Sequence, residues 1–191
     1  MKVMSDAIKK LVKISTLFIL ICIQYPCYAN TAQINSTHTY VENNTYYLDA
    51  AYDFELSEEA YKALRHGISF EIHAHFQLRL KRSWLWDKTI SEKILIFKLE
   101  HKPLTENFLT IDLTTGLRHS YDNLDAALNH ITSIFRMTLF DQDILVENER
   151  YIARIRAFLD IESLPPPMRP QAYFSPSWDL SSEWYEWELV R

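Results

Sequence analysis

The chain has 191 residues, and its 20 basic against 25 acidic side chains leave a formal charge of −5. That balance speaks against nucleic acid as a partner, because phosphate binding needs clustered positive charge. Only two glycines occur, Gly67 and Gly116, whereas a P-loop, a dinucleotide-binding glycine turn and a nucleophile elbow each need glycines that this chain lacks.

The N-terminal segment reads as an export signal. Lys2, Lys9, Lys10 and Lys13 precede the apolar run 14–23, and Cys27-Tyr28-Ala29 offers small residues where a signal peptidase looks for them. The run falls short of the roughly twenty apolar residues that a membrane-spanning helix needs, so removal after Ala29 and a periplasmic location are expected. If the segment is retained, it becomes an anchor at the inner membrane. Four of the basic residues and one acid, Asp6, lie in it, so the expected mature chain, 30–191, carries a formal charge of −8. Both cysteines, Cys22 and Cys27, lie there as well. The mature domain is therefore expected to have no disulfide, thiolate metal site or cysteine nucleophile.

Residues 37–41 and 45–48 flank Glu42-Asn43-Asn44 and predict a hairpin with an asparagine turn. Ser57 before Glu58 and Glu59 predicts a helix cap, and Gly67 a left-handed helix end. The clearest signal is 68–81, where apolar and polar residues alternate without a break. Period two over that length predicts a long antiparallel strand with one buried and one wet face. Residues 93–100 are apolar on both faces in their middle and predict a central strand. A second hairpin is predicted from 108–112 and 117–121 around Gly116, followed by a helix over 124–134 capped by Asn123. Residues 136–140 and 151–159 complete the strands, and the proline run 164–170 predicts an extended polyproline segment leading an aromatic tail. About seven strands and two short helices predict one all-β, mainly antiparallel domain. A β-sandwich is expected, with the immunoglobulin-like arrangement one form it can take.

Ala63-Leu64-Arg65-His66-Gly67-Ile68, Arg82-Ser83-Trp84-Leu85-Trp86-Asp87, Leu159-Asp160, Leu164-Pro165-Pro166-Pro167, Trp178 and Ser182-Glu183-Trp184 together resemble the bacterial domain-of-unknown-function 4390 family, over nearly the whole mature chain. The resemblance implies an exported, envelope-facing bacterial protein and supplies no catalytic residues. It also implies, by gene neighbourhood, an association with a membrane sensor kinase of the nitrogen-regulation type.

His73 and His75 share one strand face, since residues two apart point the same way. Zinc uses such pairs when a third ligand is near, for which His66, His101 or a carboxylate of a neighbouring strand are the candidates. Arg79, Lys81, Arg82, Arg154 and Arg156 form a basic stripe if the two strands share a sheet, and that stripe suits an acidic partner. The alternative is ordinary cross-strand pairing with Glu71, Glu100 or Asp112. Asp141, Asp143, Glu147 and Glu149 miss the calcium-loop spacing and read as a solvated loop. Trp84 and Trp86, joined by Trp178, Trp184 and Trp187, would make an aromatic groove, unless the rings close the core instead. Pro167-Met168-Arg169-Pro170 matches P-x-x-P, and a rigid connector accounts for it better.

The leading expectation is a non-enzymatic, protein-binding module of the envelope that uses no cofactor and acts with a membrane sensor. Its partner-binding residues would be Arg79, Lys81, Arg82, Arg154, Arg156, Trp84 and Trp86. The alternative is a metal-dependent hydrolase or small-ligand carrier built on His73 and His75.

Overall fold

The computed structural model describes residues 32–82, 84 and 86–189. The expected export signal, its two cysteines and the Ala29 cleavage site lie outside the described residues. Among the described residues, no helix is long and apolar enough to cross a membrane.

In chain order, β1 (Ala32–Glu42), β2 (Thr45–Phe54), α1 (Glu58–Arg65), β3 (Phe70–Leu80), β4 (Lys88–Lys102), β5 (Asn107–Asp112), β6 (Arg118–Tyr121), α2 (Leu124–Thr132), β7 (Ser133–Asp141), β8 (Tyr151–Leu159), α3 (Arg169–Phe174) and β9 (Tyr185–Leu189) follow one another. The strands form two antiparallel sheets, ordered β1-β2-β7 and β6-β5-β4-β3-β8-β9. The protein is thus all-β with short helices, as its alternating pattern predicts.

The two sheets share one core. Phe70, Ile72, Ala74, Phe76 and Leu78 of β3, alternate residues from Tyr151 to Leu159 of β8, and Tyr46, Leu48, Ala50, Tyr52 and Phe54 of β2 are all buried. They belong to a single cluster, and Phe76 of the larger sheet lies 6.3 Å from Phe140 of the smaller. Two inner faces that exclude water from each other make a sandwich. Ala60 and Leu64 of α1, with Ala127, Leu128 and Ile131 of α2, extend that core.

Local chemistry explains the turns. Asn43 and Asn44 have φ of 48° and 68°, the left-handed pair that a two-residue hairpin turn needs and asparagine tolerates. Ser57 Oγ accepts from Ala60 N at 3.1 Å, and Asn123 Oδ1 accepts from Ala126 N at 2.8 Å, so both predicted caps form. Gly67 ends α1 at φ 87°, where a Cβ would meet nothing within 4 Å. Gly67→Ala is therefore expected to cost about 1 kcal/mol from backbone conformation alone, read as a lower urea midpoint with an unchanged slope.

β4 is an interior strand between β3 and β5, as its apolar middle predicts, with ladder partners on both sides at residues 97–99. Three expectations are corrected. Nine strands and three α-helices are present among the described residues, the terminal β9 and α3 being the elements not predicted. α2 stops at Thr132 and the chain enters β7 directly. The proline run is not extended throughout. Met168 N donates to Pro165 O at 2.9 Å to make a turn, and α3 then begins with Pro170 in its first turn, where a missing N–H leaves no helical bond unmade. Burial of Leu164, Ala172 and Trp178 draws this segment onto the core.

Candidate functional site

Because the even-numbered residues of β3 face the core, Glu71, His73, His75, Gln77 and Arg79 form the outer row of the six-stranded sheet. Register sets His73 opposite Phe158, His75 opposite Arg156 and Gln77 opposite Arg154 on β8, while Gln77 faces Glu92 on β4.

One polar network crosses the three strands. Arg154 donates from Nε and Nη2 to Gln77 Oε1 at 3.0 and 2.6 Å, and Gln77 Nε2 donates to Glu92 Oε1 at 2.9 Å. His75 Nε2 lies 2.5 Å from the same Glu92 oxygen. The hydrogen bond from Gln77, and then that from His75, hold the Glu92 carboxyl below the usual carboxylate range. The Trp184 ring lies over this network, 4.0 Å from the Arg154 guanidinium, 4.8 Å from that of Arg156 and 5.2 Å from the His75 ring.

These contacts also engage the basic stripe. β3 and β8 do share a sheet, yet Arg154 is held by Gln77 and by Glu186 at 3.5 Å, and Arg79 stands 3.6 Å from Asp87. Arg156 stacks on Phe158 and Trp184, and its Nε has no hydrogen-bond partner among the described residues. Cross-strand pairing and cation–π packing thus occupy most of the charge. Lys81 and Arg82 remain exposed at the end of β3.

The histidines divide as well. His75 is held by Glu92, whereas His73 Nε2 faces Glu71 Oε2 at 3.8 Å and Asp160 Oδ2 at 4.0 Å. The three residues Glu71, His73 and Asp160 present one ligand atom each within 4.8 Å of one another. His66 instead meets the Lys62 carbonyl at the exposed end of α1, and His101 is buried on the inner face beside Arg65 and Phe108. The ligand-type side chains that converge are therefore one histidine with two carboxylates, without His75. Glu71 was legible as the residue two before His73. Asp160 was not, because it joins only through the β3–β8 register, in which Asp160 N donates to Glu71 O at 2.8 Å.

The five tryptophans do not make one groove. Trp178 is buried edge-on against Phe70, Trp187 packs 6.2 Å from Phe76, and Trp184 covers the outer network. Trp84 and Trp86, in the loop between β3 and β4, are 96% and 92% exposed. Lys81, Arg82 and Lys88 flank them and are exposed, while Asp87, the acid of that loop, faces Arg79 and accepts from Arg82 N. Of the acidic group, Asp141 accepts from the Thr45 hydroxyl and Asp143, Glu147 and Glu149 are exposed, as a solvated loop requires.

A family model described as a domain of unknown function, DUF4390, matches residues 29–188. The chain belongs to the DUF4390 family. No curated protein and no solved structure matches it. The DUF4390 match spans β1 to β9 and so includes the outer network, the tryptophan loop and the Glu71, His73, Asp160 group.

Sequence reasoning missed one cleft of the DUF4390 protein. It measures about 560 Å³, lies at the open side between β4–β5 and β7, and is lined in part by Ile94, Leu117, Phe135 and Met137. His119 and His130 also line it, with ring centroids 4.6 Å apart. Burial, then the neighbouring His119, lower the His130 pKa from 6.5. The unfolded chain consequently takes up a proton that the folded chain resists, so the His130 contribution is full above 6.5 and is lost as pH falls below it. Between about pH 7.5 and 5.5, the urea midpoint is expected to fall, and to fall less in His130→Gln.

Proposed function

We propose that this DUF4390 protein is a non-enzymatic docking module of the bacterial envelope, which offers the loop between β3 and β4 to a protein partner. The observation that carries this reading is the near-complete exposure of Trp84 and Trp86 beside Lys81, Arg82 and Lys88. Buried core tryptophans are explained by packing, but two solvated ones on a hairpin tip gain nothing in the isolated fold. Tryptophan and arginine are the side chains that most often dominate binding energy at interfaces. The partner this loop suits has an apolar pocket with an acidic rim. The extracytoplasmic part of a membrane sensor is our candidate, supported by the export pattern and by the family's implied neighbourhood.

Binding of the protein to the purified extracytoplasmic domain of that sensor tests the reading, followed by calorimetry and by the tryptophan emission maximum. Saturable binding with a blue shift that requires Trp84 and Trp86 supports it. Absence of binding to the sensor domain, or a blue shift with lipid vesicles alone, overturns it in favour of no such partner or of a membrane surface.

A further inference from the structure

We infer that Glu71, His73 and Asp160 form a binding site for a single divalent transition-metal ion of the zinc type. Two independent features point there. The first is convergence: the His73 Nε2, a Glu71 oxygen and an Asp160 oxygen lie within 4.8 Å of one another on the outer face of the six-stranded sheet. The second is the state of the histidine nitrogen. His73 Nε2 is sealed from solvent and has no hydrogen-bond partner, although two carboxylate oxygens stand 3.8 and 4.0 Å away. That spacing is too long for a hydrogen bond. It is close to what a bridging cation needs: ligands bound at 2.0–2.2 Å in a tetrahedron are separated by about 3.4 Å, so each carboxylate oxygen has to approach the His73 nitrogen by about half an ångström.

The scaffold is preorganised for this. Glu71 and His73 are two apart on β3, and Asp160 N bonds to Glu71 O in the continuing ladder. Asp160 Oδ1 accepts from Glu162 N at 3.1 Å, which aims the other oxygen at His73. The His73 ring rests against Phe158 at 5.1 Å. The Glu71 and Asp160 side chains keep partial exposure, 30% and 27%, and that of His73 13%, leaving an approach for the ion and for water as a further ligand. An imidazole with carboxylates, and no thiolate, selects a borderline cation of the zinc class over magnesium, calcium or copper(I). His75 takes no part, since Glu92 holds it. The inference is independent of the docking loop and stands or falls separately from it.

The test titrates Zn²⁺ alone into chelator-treated protein by calorimetry, with thermal melting as a second readout and Mg²⁺ as the comparison ion. The expected result is one equivalent bound with Kd below about 10 μM and a raised melting temperature with Zn²⁺ but not Mg²⁺. His73→Ala should take up one equivalent less, and the isosteric Glu71→Gln and Asp160→Asn should bind at least about tenfold more weakly. His75→Ala should bind as the parent does. Circular dichroism confirms that each variant is folded, and the two isosteric changes keep the test decisive if His73→Ala is not. No saturable Zn²⁺ binding, binding unchanged in the His73 and Asp160 variants, or equal loss in His75→Ala overturns the site.

Discussion

Phe76→Ala is expected to lower the folding free energy by about 3–5 kcal/mol. Phe76 has no exposed surface, and it lies in the middle of β3 with Lys93 of β4 on one side and Ile155 of β8 on the other. Its ring is the one that meets both Phe140 of the smaller sheet and Trp187 of β9. Removing it leaves a cavity that the sheets cannot collapse into, because ladders fix the backbone on both flanks. Since a domain of this size is stable by about 5–15 kcal/mol, much of the stability would be lost. Val146→Ala, at a 63% exposed position, should stay within about 0.5 kcal/mol. Urea unfolding followed by far-ultraviolet circular dichroism measures both. A Phe76 cost no larger than that of Val146 would contradict the shared core.

Replacing Trp84 and Trp86 together by alanine is expected to weaken partner binding by at least about 100-fold, which corresponds to about 2.7 kcal/mol. Interface tryptophans that fill a pocket commonly cost 2 kcal/mol or more each when truncated. The same change should leave folding within about 0.5 kcal/mol, because neither ring is buried in the free protein. This separation of binding from stability distinguishes the loop from Trp178, whose ring is buried against Phe70 and whose truncation should unfold rather than merely uncouple. Charge reversal at Lys81 and Arg82 should act chiefly on the association rate and its salt dependence, as rim charges do. Calorimetry against the sensor domain at two salt concentrations gives both quantities. Intact affinity in the double tryptophan variant would rule out this loop as the docking element.

The long strand was legible because its period-two pattern runs unbroken and one face is almost purely apolar; β3 follows it closely. Both helix caps were legible because Ser57 and Asn123 each stand three residues before the amide they bind. β9 was not, because its pattern is obscured by the aromatic tail and its pairing is made by β8, more than twenty residues earlier in the chain. The proline run misled for a related reason. Proline's fixed φ suits a polyproline stretch and a helix's first turn alike, and the choice was made by burial of Leu164, Ala172 and Trp178.

The candidate sites divide along the same line. Identity and spacing along one strand told which residues share a face, so His73, His75, Gln77 and Arg79 were rightly placed together. Which of them are free depends on strands that arrive later in the chain. Glu92 takes His75, Gln77 takes Arg154, Trp184 covers the guanidinium groups, and Asp160 comes within 4.0 Å of His73. The sequence by itself determined the all-β class, the caps, the turns and the two-faced β3, because those rest on contacts a few residues apart and on alternation about one backbone. Only the tertiary structure decided that three tryptophans pack onto the fold while Trp84 and Trp86 stay in solvent, since burial and cross-strand partnership are set by register between segments far apart in the chain.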